Sequence, residues 1–376
     1  MEWIAGIWNY LWAFLVVLTV VVFFHELGHY LIARMNGVRV QTFSIGFGPE
    51  IVGWTDRKLT RWKISLIPLG GYVKFFGDAG AASQPGEELP ELSEEERAVS
   101  FHHKRLHQRA AVVFGGPFAN FILAIVLLAI LFATVGQQFT APEVVEVMSG
   151  SAAEEAGIAP GDVFQEIDGS RIERFEDIAA IVVEAPGRPL KVMVDRAGGS
   201  LLLTVTPQEV QREDRFGTVR QIGQLGIRGG RVGFVQHDPG SAIWLGFKQT
   251  FLFTGETLKA VGQMISGSRS TDDLSGPLRI AQISGQVAEQ GLASLVFFMA
   301  ILSINLGLIN LFPVPMLDGG HLLIYGIEAV RGRPLGARAL EMVFRVGLGL
   351  IVLLIGFVLW NDFKNLGVVQ WVGNLF

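Results

Sequence analysis

The stretch "VVFFHELGHYLIAR" (residues 21–34) places two histidines and a glutamate at the end of an apolar run. Ionisable side chains are costly in hydrocarbon, and those found in membrane helices commonly serve a functional site. His25 and His29 are four residues apart, so in a helix both imidazoles lie on one face and can reach one Zn²⁺ ion. Glu26 lies beside the open position of such an ion, where a carboxylate can act as a general base. The pattern predicts a hydrolytic metal site within a membrane helix; the alternative is polar side chains satisfied by neighbouring helices.

The composition favours a membrane protein and excludes some functions. Of the 376 residues, 50% are hydrophobic and 17% are charged, which is apolar for a soluble protein. The net charge of -5 gives no indication of a nucleic-acid surface. The chain has no cysteine, so a transition-metal site must use His, Asp or Glu.

Four apolar stretches are long enough to cross a bilayer, which needs about 20 residues. We expect an α-helical polytopic membrane protein with four transmembrane helices, in segments 1–36, 109–136, 294–320 and 340–362. Basic residues are concentrated in the loop after the first span and in the loop after the third, which predicts that both loops are cytoplasmic. Both chain termini and the long segment after the second span are then extracytoplasmic, and the metal site lies near the cytoplasmic side.

The cytoplasmic segment 37–108 contains "TRWKISLIPLGGYVKFFG", residues 60–77. Two strand-like runs flank Gly70 and Gly71, and a diglycine supplies the positive φ angles of a tight hairpin turn. The run is apolar for a solvated loop, so we predict a membrane re-entrant β-hairpin whose edge faces a cavity of the protein. The alternative is an ordinary hairpin lying against the cytoplasmic helix ends.

Residues 142–207 are predicted to form an extracytoplasmic α+β domain. The stretch "SAAEEAGIAPGDVFQEIDG" and the order of its strands and helices resemble a PDZ domain of the bacterial protease type. PDZ domains bind extended peptides or C-termini by adding a strand to a sheet edge. The following segment, 208–291, is predicted to contain strands and then amphipathic helices over 240–265 and 275–291 that lie on the membrane surface.

A catalytic zinc ion needs three protein ligands and one water, so a third ligand must lie elsewhere. Asp318 is the only carboxylate in or near the third span. Pro313 and Pro315 interrupt the helix before it, and both the first and the third span end on the cytoplasmic side. Asp318 can therefore meet the two histidines at similar depth; alternatively, it faces cytoplasmic water at a helix end.

Several motifs together resemble the site-2 proteases, a family of intramembrane zinc metalloproteases, and most closely the bacterial regulator-of-sigma-E proteases. They are HELGH, GFGP (46–49), GGYVKF, GGPFAN (115–120) and the N-x-x-P-x-x-x-L-D-G of 310–319. The resemblance implies that His25, His29 and Asp318 bind Zn²⁺ and that Glu26 is the catalytic base. Only one PDZ copy is evident here, whereas the best-known members of that group carry two.

Substrate contacts are predicted at two places. Asn305 and Asn310 in the third span contact the substrate backbone or, alternatively, form helix–helix hydrogen bonds. The hairpin, with Ile67, Gly70 and Gly71, offers a strand edge that can hold an unwound substrate.

The resemblance also implies the substrate and the location. The expected substrate is a transmembrane protein similar to an anti-sigma factor, cut after a first extracytoplasmic cleavage, or a leftover signal peptide. The expected location is the bacterial inner membrane, in contact with lipid, within a stress response based on regulated intramembrane proteolysis.

Three other interpretations stay open at this stage. A second metal candidate lies in "FHHKRLHQR", where His103 and His107 are four residues apart beside His102. A membrane-anchored PDZ scaffold with an inactive core would also contain these segments. A metal transporter could use the histidines and the aspartate as an ion path. The glutamate directly beside His25 favours hydrolysis.

Overall fold

The structure is a computed structural model that describes residues 2–78, 92–213, 219–230, 232–268 and 276–365. Its helices are α1 (Glu2–Met35), α2 (Glu94–Val99), α3 (Leu106–Thr134), α4 (Ala152–Glu155), α5 (Phe175–Val183), α6 (Pro239–Ile265), α7 (Pro277–Glu289), α8 (Leu292–Asn310), α9 (Asp318–Arg331) and α10 (Ala337–Asn365). Its strands are β1 (Val40–Thr55), β2 (Arg61–Phe75), β3 (Gln137–Thr140), β4 (Val144–Val147), β5 (Val163–Ile167), β6 (Ser170–Arg171), β7 (Leu190–Arg196), β8 (Gly199–Val205), β9 (Gln208–Glu213), β10 (Val219–Gln224), β11 (Ile227–Gly229) and β12 (Val232–Val235).

Four of the described helices are long and apolar enough to cross a membrane, which confirms the predicted number of spans. They cover Tyr10–Met35, Leu106–Thr134, Leu292–Asn310 and Arg338–Lys364. The third is shorter than the predicted segment 294–320, because α8 ends at Asn310, shortly before the two prolines. Asp318 instead begins a separate helix, α9, which the sequence analysis did not predict.

The described chain divides into two compact units, and the first, within residues 1–131, 240–261 and 270–376, contains the membrane helices. Helices α1, α3 and α8 share a buried apolar cluster of Val17, Val21, Leu123, Leu295 and Met299. Gly28 of α1 and Gly115 of α3 face each other so closely that a Cβ on either would overlap the backbone of the other. Small residues at such a crossing let membrane helices approach closely.

The turn of the predicted hairpin over residues 60–77 is not at the diglycine, so this part of the prediction is wrong. The chain reverses at residues 56–60, where Asp56 Oδ1 accepts hydrogen bonds from the backbone N–H groups of Lys58 and Thr60. The diglycine instead lies within β2, whose pairing with β1 shifts register several times and sets Gly71 opposite Ile45. Gly70 has a φ of 125° because the Phe47 ring occupies the space of a side chain there. The positive φ therefore serves close packing against β1, not a turn.

The second unit, within residues 132–239 and 262–269, contains the predicted α+β domain. Its main sheet has the strand order β6-β5-β7-β8, and α4 and α5 contribute to the same buried core. Its strands and helices agree with the α+β class predicted for residues 142–207.

The compact unit continues beyond residue 207. Strand β4 pairs antiparallel with β11, and Leu225 is buried in the core of the unit. The sequence gives no direct indication of this pairing, because it joins segments about 80 residues apart. The identification of this unit as a PDZ domain stays a prediction.

The two amphipathic segments are helices, as predicted, and correspond to α6 and α7. Asp362 of α10 accepts hydrogen bonds from the backbone N–H groups of Gly276 (2.8 Å) and Leu278 (3.0 Å) and so caps the start of α7. Gly285 of α7 packs directly against the Tyr10 ring of α1. Helix α7 is thereby held between the first and the last membrane helix, while its position relative to lipid stays a prediction.

Candidate metal centre

His25 and His29 project from the same face of α1. Their Nε2 atoms are 3.2 Å apart, and the rings meet edge to face with centroids 4.8 Å apart. His25 is buried, and His29 is half-buried. The spacing of four residues on a regular helix thus brings the two ring nitrogens to one point, as the sequence predicted.

Asp318 reaches the same point from the start of α9. Its Oδ2 atom lies 3.3 Å from His25 Nε2 and 3.5 Å from His29 Nε2. The loop between α8 and α9 folds back over the first turn of α9. A Cβ at Gly319 would overlap the carbonyl oxygens of Leu311 and Phe312, so only glycine permits this return. The local sequence of the Asp-Gly-Gly motif therefore sets where the carboxylate lies.

The three side chains form a set that suits a metal ion. Among the described residues they are the one group of three His, Cys, Asp or Glu side chains whose ligand atoms converge. Asp318 Oδ2 is buried and has no hydrogen-bond donor. Ligands of a tetrahedral zinc ion with bonds of about 2.0–2.1 Å lie about 3.3 Å apart, which is close to the distances between these atoms. The donor types, the spacing and the unpartnered oxygen all fit a zinc ion.

Both histidines are oriented by α3. His29 Nδ1 lies 2.9 Å from the backbone carbonyl oxygen of Val112, and His25 Nδ1 lies 3.2 Å from the side-chain amide of Asn120. These contacts do not follow from the sequence, because Asn120 ends the GGPFAN motif and a short motif does not show which side chain faces which ring.

Glu26 lines a cavity of about 480 Å³ together with the three convergent residues. Val73 of β2 lines the same cavity. Gly71 lies against the Glu26 side chain, because a Cβ there would come within 3.2 Å of Glu26 Cγ. Strand β2 therefore fixes the position of the carboxylate beside the histidines.

The remaining wall of this cavity is largely apolar. Phe47, Leu69 and Met316 contribute to it, and so do Gly70 and Gly71 from the predicted substrate set. A cavity of this kind can accept an apolar peptide segment next to the three convergent residues.

The two asparagines of the third span differ in their surroundings. Asn310 lines the cavity, and its Nδ2 atom lies 3.5 Å from His25 Nε2. Asn305 is not among the lining residues, and its Oδ1 atom accepts a hydrogen bond of 3.2 Å from Thr257 of α6. That contact favours the helix–helix alternative for Asn305. Ile67 also lies outside the lining, paired with Phe47 and about half exposed.

Two further titratable residues of α9 lie near the centre. His321 lines the cavity, and burial lowers the pKa of its imidazole despite the opposing carboxylates of Asp318 and Asp78. Burial also raises the pKa of Tyr325 to about 12. Both side chains are therefore neutral near pH 7 and add no charge to the cavity.

The histidine-rich alternative does not assemble a second group of metal ligands in the described part of the chain. His102 Nε2 lies 2.8 Å from Asp78 Oδ1, and His103 Nδ1 lies 3.1 Å from Ser100 Oγ. These rings stabilise the region after β2 through separate local hydrogen bonds.

Comparison with known proteins gives a consistent assignment. A family model described as Peptidase family M50 matches residues 13–354. A protein of Agrobacterium fabrum, named as a candidate zinc metalloprotease, is 46% identical, covering 95% of this chain and 96% of its own length. Metalloprotease MmpA of Caulobacter vibrioides is 37% identical, covering 96% of this chain and 97% of its own length.

Among solved structures, a PDZ domain of an SdrC-like protein from Listeria monocytogenes matches part of the chain. It covers 24% of this chain and 88% of that domain at 17% identity, with a TM-score of 0.19. This value is too low to establish a shared fold.

Proposed function

The chain belongs to peptidase family M50, the site-2 protease family, and from that premise we propose that it is a zinc metalloprotease that cleaves a peptide bond within transmembrane segments of other membrane proteins. The observation that carries the proposal is the convergence of Asp318 with His25 and His29. Residues separated by nearly 300 positions are brought to one point inside a bundle of membrane helices.

In this proposal His25 Nε2, His29 Nε2 and an oxygen of Asp318 hold the zinc ion. When bound, zinc polarises the scissile carbonyl group and makes a water molecule more acidic. The Glu26 carboxylate takes a proton from the attacking water and passes it to the leaving amine. The close packing of Gly71 against the Glu26 side chain supports this role, because it keeps the carboxylate at the cavity wall.

The substrate is expected to enter the cavity in an extended form. A transmembrane helix shields its carbonyl groups with internal hydrogen bonds, so it must unwind before cleavage. Leu69, Gly70 and Gly71 line the cavity with β2 backbone, which can pair with an unwound segment. Side chains on the outer part of the sheet are exposed and apolar, among them Ile51, Trp54 and Leu66, which supports a re-entrant position in the bilayer.

The biological setting of the proposal follows the family resemblance. We infer a bacterial inner-membrane protein whose termini and α+β unit are extracytoplasmic, as the basic loops favour. Its substrate would be a transmembrane protein similar to an anti-sigma factor, already shortened by a first protease, or a leftover signal peptide. In this stress-response pathway the α+β unit would bind an extracytoplasmic peptide or exclude substrates with bulky outer domains.

One experiment separates this function from its alternatives. Wild-type protein and Glu26→Gln are purified, their bound zinc is measured, and both are tested on a transmembrane peptide. Zinc in both proteins with cleavage only by the wild type supports the protease. Zinc without cleavage by either protein, in a lipid environment that keeps them folded, favours a transporter or a scaffold and contradicts the proposal.

A further inference from the structure

Asn120 is a buried polar residue whose surroundings indicate a specific task. It lies on α3 and is fully buried, with a relative exposure of 0%. Its Nδ2 atom lies 3.2 Å from His25 Nδ1, while its Oδ1 atom is buried without a hydrogen-bond partner. A buried amide with an unused acceptor costs free energy, so the arrangement calls for an explanation.

The chemistry of histidine provides one. A neutral imidazole that offers the Nε2 lone pair to a metal carries its proton on Nδ1, which is then a donor. An amide nitrogen cannot accept that proton, but an amide oxygen can. Rotating the Asn120 amide by half a turn exchanges its two ends and places Oδ1 next to His25 Nδ1.

We propose that Asn120 is the positioning residue of His25: its amide oxygen accepts the Nδ1–H of the ring, and this bond presents Nε2 to the metal. The inference rests on the proposed zinc site and adds a residue to it. Asn120 would touch neither substrate nor metal and would act only through His25. Partners of this kind orient ligating histidines in many metal sites.

Helix α8 holds Asn120 in place for this role. Ser303 Oγ donates a 2.8 Å hydrogen bond to the Asn120 backbone carbonyl. Gly307, one turn further along α8, faces the Asn120 side chain so closely that an added Cβ would come within 3.2 Å of Asn120 Cβ. The amide group is therefore confined between α8 and the His25 ring.

The second histidine has an equivalent arrangement on the same helix. His29 Nδ1 lies 2.9 Å from the Val112 backbone carbonyl oxygen, which can only accept a hydrogen bond. The His29 ring must therefore carry its proton on Nδ1 and offer Nε2. Helix α3 would thus orient both histidines of α1, one through a backbone carbonyl and the other through the Asn120 side chain.

The test measures zinc affinity of the full chain in detergent, by competition with a chelator of known affinity. Asn120→Leu keeps the size but removes the acceptor, and Asn120→Asp keeps only acceptors. Thr250→Val is the matched control, since it removes a buried hydroxyl of α6 that bonds to the Gly246 carbonyl and does not line the cavity. We expect zinc affinity to fall about 10–100-fold in the Leu variant. We expect it to stay near the wild-type value in the Asp and Thr250 variants.

Thermal unfolding of the zinc-free proteins separates positioning from folding. The inference is overturned when a folded Leu variant binds zinc as tightly as the wild type, or when the Asp variant binds no better than the Leu variant. If the Leu variant does not fold, the zinc affinity of the Asp variant is the test. A tenfold lower zinc affinity of the Asp variant than of the wild type then overturns the inference. Absence of zinc binding in the wild type would instead contradict the proposed function itself.

Discussion

Gly116 of α3 faces the His29 ring of α1 with no room for a side chain between them. A Cβ at Gly116 would overlap the His29 imidazole and come within 2.8 Å of His25 Cε1. The two histidines therefore occupy space that only glycine leaves free, and the metal centre depends on a residue without a functional group.

Replacing Gly116 with alanine should disturb the centre directly. The added methyl group must displace a ring or separate α1 from α3, and overpacking of this kind typically costs about 1–3 kcal/mol. We expect Gly116→Ala to lose most of its zinc affinity and its proteolytic activity, measured by metal analysis and peptide cleavage. Gly349→Ala in α10 is the control, because nothing lies within 4 Å of its added Cβ. Equal zinc binding by both variants would contradict the packing argument.

Zinc removal should lower the stability of the wild type but not of an Asp318 variant. A ligand that binds only the folded state stabilises it by about 2.7 kcal/mol at a free concentration of 100 times its Kd. We expect a chelator to lower the unfolding temperature of the wild type and of Glu26→Gln, which keeps the three ligands. Asp318→Ala should unfold at the same temperature with and without chelator. A chelator-dependent shift in that variant would mean that zinc binds elsewhere.

The sequence alone could identify the three convergent residues for physical reasons. His25 and His29 follow from helical spacing, and ionisable side chains in an apolar stretch are rare enough to be informative. Asp318 could be added because few carboxylates lie near the third span.

The parts that could not be predicted depend on contacts between distant segments. Diglycine commonly forms turns, but Gly70 packs against the Phe47 ring within β2. The pairing of β4 with β11, the separate helix α9 and the role of Gly116 also depend on tertiary structure. Local patterns carry no information about which segment becomes the neighbour.

An ion pair connects α3 with α9 and should stabilise the membrane unit. Arg109 Nη2 lies 3.3 Å from Glu328 Oε2, and the guanidinium also lies over the Tyr325 ring at 4.8 Å. Glu328 Oε1 accepts a hydrogen bond from the Leu335 backbone N–H. Removing one partner of a buried pair leaves an uncompensated charge and costs up to about 3–5 kcal/mol.

We therefore expect Arg109→Met to lower the free energy of unfolding strongly. The double variant Arg109→Met with Glu328→Gln should lose less unfolding free energy than the sum of the losses in the two single variants. Chemical unfolding in detergent measures both. The exposed pair of Arg345 and Glu341 is the control, and Glu341→Gln should change stability by less than about 1 kcal/mol. Strict additivity of the two single changes would show that Arg109 and Glu328 do not stabilise each other.

The α+β unit should lose stability in acid because of Asp162. The Arg196 guanidinium donates hydrogen bonds of 2.7 and 2.8 Å to this buried carboxylate and holds its pKa below the usual range. A folded-state pKa below the unfolded one stabilises the fold above the ordinary pKa of about 4, and that contribution is lost as the pH falls below it.

Asp162→Asn should accordingly be less stable than the wild type at pH 7, and the difference should shrink as the pH falls below about 4. Amide hydrogen exchange in β5 and β7 of the full chain, referenced to intrinsic rates at each pH, follows this unit specifically. Glu173→Gln removes one carboxylate of an exposed pair with Arg171 and should leave the exchange unchanged. A difference between wild type and Asp162→Asn that is constant with pH would rule out the charge as its cause.

Strand β2 should matter more for unwinding the substrate than for binding the metal. Leu69 lines the cavity beside Gly70, whereas Leu66 of the same strand is 60% exposed and lies outside the lining. Proline at residue 69 removes a backbone N–H that could pair with an extended peptide, but leaves His25 and Asp318 in place. We expect Leu69→Pro to keep its zinc and to cleave a helical transmembrane peptide at least about tenfold more slowly, a loss of about 1.4 kcal/mol in transition-state stabilisation.

Leu66→Ala tests the apolar surface without changing the backbone and should cleave normally. A peptide whose helix is already unwound by glycines depends less on pairing with β2. Leu69→Pro should therefore slow the cleavage of that peptide less than it slows the cleavage of the helical peptide. Unchanged cleavage of the helical peptide by a folded, zinc-bound Leu69→Pro variant would remove β2 from substrate binding and leave the metal centre as the only part of the mechanism that acts on the peptide.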